Sequence, residues 1–324
     1  MIAMKRDDVH RFLLGAIEKK IPEQAKLVET LKGILSMEKG AIYRRLRGEV
    51  PFSFHEVVNI AEKLDISINN LVYADSVKID RFELTKVEYS DMNETDYQQW
   101  EDYIALISLA KNDPQSEIAE SSNVLPLSLY GGFDSLSKYF LFKYQYLFSG
   151  TEYRISFSDM VFPERLNRIY RSYFYESKNF AKTVYILDYL IFQYLVTDVK
   201  YFQSINLISE NEVQQIKEDL LALLDYIEEI ASKGRFEETG NPVSFYISDI
   251  NLDADYSYVQ FNDVYMSHIR SFILNSVAST DKTSFRKIKD WIQSLKKSST
   301  LITHAGEVFR VDFFAKQRKL ISEL

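Results

Sequence analysis

The chain has no cysteine, four histidines, ten glycines and six prolines in 324 residues. Without cysteine there is no disulfide, no thiolate zinc site and no cysteine nucleophile, and four scattered histidines leave metal chemistry short of ligands. No cofactor is therefore expected. Scarce glycine and proline argue against a turn-rich β fold and for long uninterrupted helices. No apolar run approaches the roughly 20 residues that cross a bilayer. Met1 to Lys20 mixes charges throughout, unlike a secretory leader, so no membrane partner is expected and the cytoplasm is the expected location.

What is abundant is aromatic: 22 Tyr and 22 Phe. Tyrosine hydroxyls need partners when buried, so this many leave room for a partly polar pocket among packed helices. The net charge of −8 is unevenly spread. Residues 1–73 hold 12 Lys and Arg against 10 Asp and Glu, whereas residues 74–324 hold 27 against 37. An acidic bulk repels a phosphate backbone except where the N-terminal piece would dock.

The stretch Ser36 to Phe54, SMEKGAIYRRLRGEVPFSF, carries the chemistry that points to a partner. Ser36 as N-cap and Gly48 as C′ residue would bound a helix of about three turns. At 100° per residue Ile42 and Leu46 share one face as an anchor, while Gly40, Arg44 and Arg47 lie opposite with Tyr43 on the flank. Guanidinium forks suit phosphates or the N7 and O6 edge of guanine, and Gly40 would let the backbone approach closely. Upstream, Lys5 to Lys20 shows Val9, Phe12, Leu13, Ala16 and Ile17 at helical spacing. A second helix from Glu23 to Lys32 would break at Gly33. Downstream, Ser53 and Glu56 form a capping box with Phe52 and Val57 as a hydrophobic staple, opening a fourth helix, and Ile66-Ser67 would begin a short fifth through Val72.

These pieces together resemble the lambda-repressor-like, or XRE-type, helix-turn-helix domains. The matching residues are Ser36, Ile42, Arg47-Gly48, Pro51-Phe52-Ser53, Ile60 to Leu64 and Ile66 to Leu71, about a fifth of the chain. The segment from Ser36 to Gly48 is somewhat longer than is usual in that family. The resemblance implies double-stranded DNA as partner, the third helix in the major groove, and a homodimer with its two reading helices ~34 Å apart. It assigns Arg44 and Arg47 to base edges or adjacent phosphates, and Lys39, Tyr43 and Arg45 to backbone phosphates.

Beyond residue 74 the reading is of a linker over 75–94 with one strand, a helical effector or dimerisation domain over 95–240, and a small α/β unit over 241–324. The whole is mainly α. Expected helices are Thr95 to Lys111 with a Thr95/Gln98 capping box, Asp134 to Phe148, Pro163 to Glu176, Ala181 to Ser204 and, from a capping box at Ser209/Glu212, a helix to Gly234. Val243 to Ile247, Tyr256 to Phe261 and Tyr265 to Leu274 read as antiparallel strands, followed by helices Ser284 to Lys297 and Glu307 to Leu324. Tyr130-Gly131-Gly132-Phe133 reads as a turn. Asp249, Asn251, Asp253 and Asp255 alternate as in a calcium loop, but Ala254 and Gln260 stand where that loop wants Gly and Glu, so a hairpin turn is expected instead.

Ser299, Thr300, Thr303, His304 and Arg310 surround a helix start at Glu307 and are the candidate ligand contacts, since free N–H groups there suit an anion. No nucleophile, base and orienting group can be assembled from them, so no enzyme is expected. The expectation is a DNA-binding regulator whose C-terminal region senses a small molecule or peptide. The alternatives are a peptide-sensing helical-repeat or protein-interaction molecule, and an enzyme built on the C-terminal unit.

Overall fold

The computed structural model describes residues 6–64, 66, 83–85, 89, 91–150, 152, 154–270, 276–304 and 306–324. The chain divides into two compact units, Met1–Ile79 and Asp80–Leu324.

In the first unit, α1 (Arg6–Lys20) ends before Pro22, and its Leu13 and Ile17, one turn apart, are buried. Helix α2 (Gln24–Leu35) buries Leu27, Val28 and Leu31. It does not break at Gly33 but runs on to Ser36, which adopts a left-handed φ of 51° as its C-cap. Ser36 therefore closes α2 and is not the N-cap of the next helix. Glu38 precedes α3 (Lys39–Leu46), which is eight residues, or about two turns and not three. The extra length in the Ser36 to Gly48 segment is thus the end of α2 and its turn. Gly48 ends α3 as expected, at φ 75°, with the Glu49 N–H donating to the Arg44 carbonyl at 2.9 Å.

The capping box before α4 (Phe54–Leu64) is formed on both sides: the Ser53 N–H donates to Glu56 Oε2 at 2.7 Å and the Glu56 N–H to Ser53 Oγ at 3.3 Å. Phe52, Ile42, Ile60, Ala61 and Ile66 complete a core with the buried residues of α1 and α2. At about 1.5–3 kcal/mol for each fully buried aliphatic side chain, this small core is what offsets chain entropy here. Of the fifth helix expected from Ile66 to Val72, Ile66 is described and lies in no regular element, and the rest falls outside the described residues.

In the second unit an eight-stranded mixed sheet runs in the order β1-β7-β6-β5-β2-β3-β4-β8. The strands are β1 (Glu83–Thr85), β2 (Glu117–Ser122), β3 (Lys182–Asp188), β4 (Val243–Ser248), β5 (Asp255–Phe261), β6 (Val264–Arg270), β7 (Ser276–Ser279) and β8 (Ser299–Leu301). Strands β2, β3 and β4 are mutually parallel and the other pairings are antiparallel. The division at residue 240 is therefore wrong: β2 and β3, from the stretch read as all-helical, pair with the later strands in one sheet, which is mixed. The strand expected between residues 75 and 94 is β1; the rest of the expected linker lies mostly outside the described residues. The expected Tyr265 to Leu274 strand is β6 as far as Arg270; residues 271–275 lie outside them too.

Among the described residues this unit has seven helices longer than one turn: α5 (Glu94–Ile107), α6 (Asp134–Phe148), α7 (Glu164–Glu176), α8 (Ile191–Ser204), α9 (Glu210–Lys233), α10 (Lys282–Leu295) and α11 (Glu307–Ser322). Buried residues of α6 to α9 and α11 share a core with Tyr185, Leu187, Phe245 and Ile247. Val184 and Ile186, alternating with these along β3, meet Phe285, Ile288 and Ile292 of α10 on the other face. The cap of α5 is not Thr95/Gln98 but Asn93/Asp96, with Asn93 Oδ1 accepting from the Thr95 and Asp96 N–H groups. The Ser209/Glu212 box is present. Gly131 and Gly132 follow a helical turn (Leu127–Tyr130) and sit where a Cβ would strike the Tyr170 carbonyl or the Phe174 ring, so their role is close packing on α7. The loop between β4 and β5 is no hairpin, because β3 and β2 lie between those strands. Asp188 Oδ2 holds it by accepting the Leu252 N–H at 2.8 Å.

Candidate nucleic-acid interface

Helix α3 is fixed about its own axis by two contacts. Ile42 is fully buried, with Leu46 half-buried against the same core. Arg45 donates from Nε to Glu56 Oε2 at 3.1 Å and from Nη2 to Oε1 at 2.8 Å. This planar two-bond fork joins α3 to the first turn of α4. Burial pushes the Glu56 carboxyl up, but the Arg45 guanidinium and the Ser53 N–H outweigh it and hold the group below the usual carboxylate range. His10 of α1 adds a bond to the Arg45 carbonyl at 3.1 Å and packs on Phe52.

Arg45 is thereby committed to the interior of the domain and is not placed to hold a backbone phosphate. The signal in the sequence is Glu56, three residues into the capping box, which serves both as cap and as counter-ion. Gly40 is exposed, and a Cβ there would meet none of the described residues within 4 Å. Tyr43, Arg44 and Arg47 are exposed on the side away from Ile42. Glu49 reaches both arginines, at 2.7 Å from Arg47 Nε and 3.7 Å from Arg44 Nε, with every partner about half exposed or more. Lys39 pairs with Glu29 of α2, also in solvent. Exposed pairs of this kind are worth about 0–1 kcal/mol and yield readily to a phosphate.

The five candidate ligand contacts near Glu307 do not converge. Ser299 donates to the Leu295 carbonyl at 2.8 Å, and Thr300 lies 3.4 Å from both Asp249 carboxylate oxygens. Buried Thr303 Oγ1 accepts the Phe245 N–H at 2.7 Å. His304, at a left-handed φ of 57°, lies against Gly234, and Arg310 donates to the Ile302 carbonyl at 2.9 Å. All five serve the junction of β4, β8, α9 and α11.

A different polar cluster, not foreseen from sequence, lies in the second unit. Glu120 is buried and accepts from Ser128 Oγ at 2.7 Å, and Ser128 accepts in turn from the Tyr185 hydroxyl at 3.1 Å. Burial raises the Glu120 carboxyl against the opposing pull of Arg270. Tyr103 and Tyr173 stack at 6.0 Å, His268 meets Tyr103 edge-on at 5.9 Å, and Trp100 stands over both tyrosines. No family model, curated protein or solved structure matches the chain.

Proposed function

We propose that this chain is a DNA-binding transcription regulator: its N-terminal unit inserts α3 in the major groove, it acts as a homodimer, and its C-terminal unit senses an effector. The observation that carries the reading is the locked rotation of α3, with Ile42 and the Arg45–Glu56 fork inward and Gly40, Tyr43, Arg44 and Arg47 outward. A rigid helix with two solvent-facing guanidinium groups on one side meets the geometric need of groove reading, where loosely held side chains would not. Tyr43 and Lys39 flank that side and suit phosphate contact.

The test is selection from a pool of random duplexes by the full-length protein. A recurrent motif in two halves, centred ~34 Å apart, is the expected result. Failure to enrich any motif at low salt would reject the reading.

A further inference from the structure

The sheet register places polar residues on an interior face. Glu120 pairs with Ser257 and Ser257 with His268, and two positions along Asp255 pairs with Arg270. Directly paired residues, and those two apart along a strand, share one face. On that same face Ile118 pairs with Val259 and Val259 with Met266, and these pack under Ile107, Leu106 and Tyr103 of α5. An apolar row is thus followed by two polar rows, beneath a helix, at the carboxyl end of β2. Carboxyl ends of strands are where open α/β sheets hold their ligands.

Arg270 is the centre of this patch. Its guanidinium has five N–H donors, yet among the described residues its one hydrogen bond is a long 3.4 Å contact from Nη1 to Asp255 Oδ2. Asp255 is itself occupied by the Asn123 N–H, which donates to Oδ1 at 2.8 Å. Tyr103, Tyr173, His268 and Arg270 each keep intermediate exposure, and the three rings touch one another in sequence. Rings that solvent still reaches, beside under-used guanidinium donors and beneath a helix, are the walls a recess would have. The walls are flat rings, and His268 is one of them as a neutral imidazole, since burial and then Arg270 push its pKa down to about 4. The Tyr170 hydroxyl, whose ring lies 6.3 Å from Trp100, is buried without a hydrogen-bond partner among the described residues.

We propose that this recess binds a small aromatic carboxylate, its carboxylate on the Arg270 fork and its ring among Tyr103, Tyr173 and His268. A planar oxyanion matches the unused guanidinium donors in two parallel bonds, which a point cation would not require. The aromatic walls then favour a flat body over an aliphatic one. A role for this site in controlling DNA binding rests on the regulator reading, whereas the binding itself does not.

The experiment uses the full-length protein without DNA, with benzoate and 4-hydroxybenzoate as probes and benzamide as the uncharged match, followed by melting temperature and by tryptophan fluorescence. Both carboxylates should raise the melting temperature and alter the emission with millimolar or better affinity, and benzamide should not. Arg270→Lys should weaken binding at least tenfold. Should that variant prove unstable, Tyr173→Ala, at the wall of the recess, must give a comparable loss. No response to either carboxylate at about 10 mM, an equal response to benzamide, or undiminished binding in these variants would overturn the proposal.

Discussion

Glu56→Ala isolates what holds α3 in place. The substitution leaves the Arg45 guanidinium, whose side chain is 17% exposed, without its counter-ion, and removes one half of the capping box. Breaking a fully buried pair from one side costs about 3–5 kcal/mol, and partial exposure here reduces that to about 2–3. The lost cap adds about 1. A unit of this size has roughly 4–12 kcal/mol of stability in all, so about a quarter of it or more is at stake. Both tryptophans, Trp100 and Trp291, lie in the second unit, so fluorescence-detected unfolding serves as an internal control. Hydrogen exchange read by mass spectrometry should show amides in residues 39–64 exchanging roughly 100- to 1,000-fold faster, with the fluorescence transition unmoved. The pH dependence follows from the same contact. Because the folded carboxyl is held below its unfolded value of about 4.3, its contribution is complete above that pH and is lost as pH falls through the folded value. Protection of α3 and α4 should thus decline in mild acid in the parent chain, and Glu56→Gln should abolish that dependence. Unchanged exchange in Glu56→Ala would refute the idea that the fork orients the helix.

On the proposed regulator reading, Glu49→Gln removes a carboxylate that would compete with DNA for Arg44 and Arg47. Affinity measured by fluorescence anisotropy should rise roughly two- to fivefold, as expected for exposed pairs worth under about 1 kcal/mol; unchanged or weaker binding would count against it. Gly234→Ala forces a side chain into φ +65° and onto the His304 ring. It should lower the melting temperature by about 5 °C or more, and adding His304→Ala should recover only part of the loss, since the backbone strain remains. Lys178 is buried against the Phe174 ring at 3.7 Å and paired with Glu238, and burial lowers its pKa despite that partner. A lysine so shifted makes the fold more stable as pH rises from the folded toward the unfolded value. Lys178→Met should remove that dependence and leave stability at pH 7 equal or greater by about 1 kcal/mol, because half-exposed Glu238 can be hydrated; a loss above about 2 kcal/mol by urea unfolding would contradict this.

The parts of the fold legible in the sequence were those specified locally. Capping boxes at Ser53/Glu56 and Ser209/Glu212, and the glycine stops at Gly48 and Gly234, gave helix ends that the structure reproduces. Strand β3 escaped because Val184, Tyr185, Ile186 and Leu187 are buried on both faces of a parallel strand, so alternation vanishes, and the run continues at helical spacing into Ile191 and Leu195 of α8. Strand β2, EIAESS, escaped for the opposite reason. Its polar residues look solvated, yet Glu117 is held by Lys182 and Lys289 from distant parts of the chain, and Glu120 by Ser128 across the turn that follows the strand. Without β2 and β3 the later strands read as a separate antiparallel unit. The outward residues of α3 were legible because Ile42 and Leu46 set their phase. Arg45 was not, since its position depends on a carboxylate eleven residues away. The polar rows around Arg270 depend on strand register, which periodicity does not supply.

The salt dependence of DNA binding in an Arg44→Ala/Arg47→Ala variant tests the central claim most directly, using a duplex enriched by the parent protein. If those two guanidinium groups enter the groove, affinity should fall by about 1–3 kcal/mol for each, and the slope of log affinity against log salt should shrink by about one for every phosphate contact removed. Affinity and slope both equal to those of the parent chain would contradict the account.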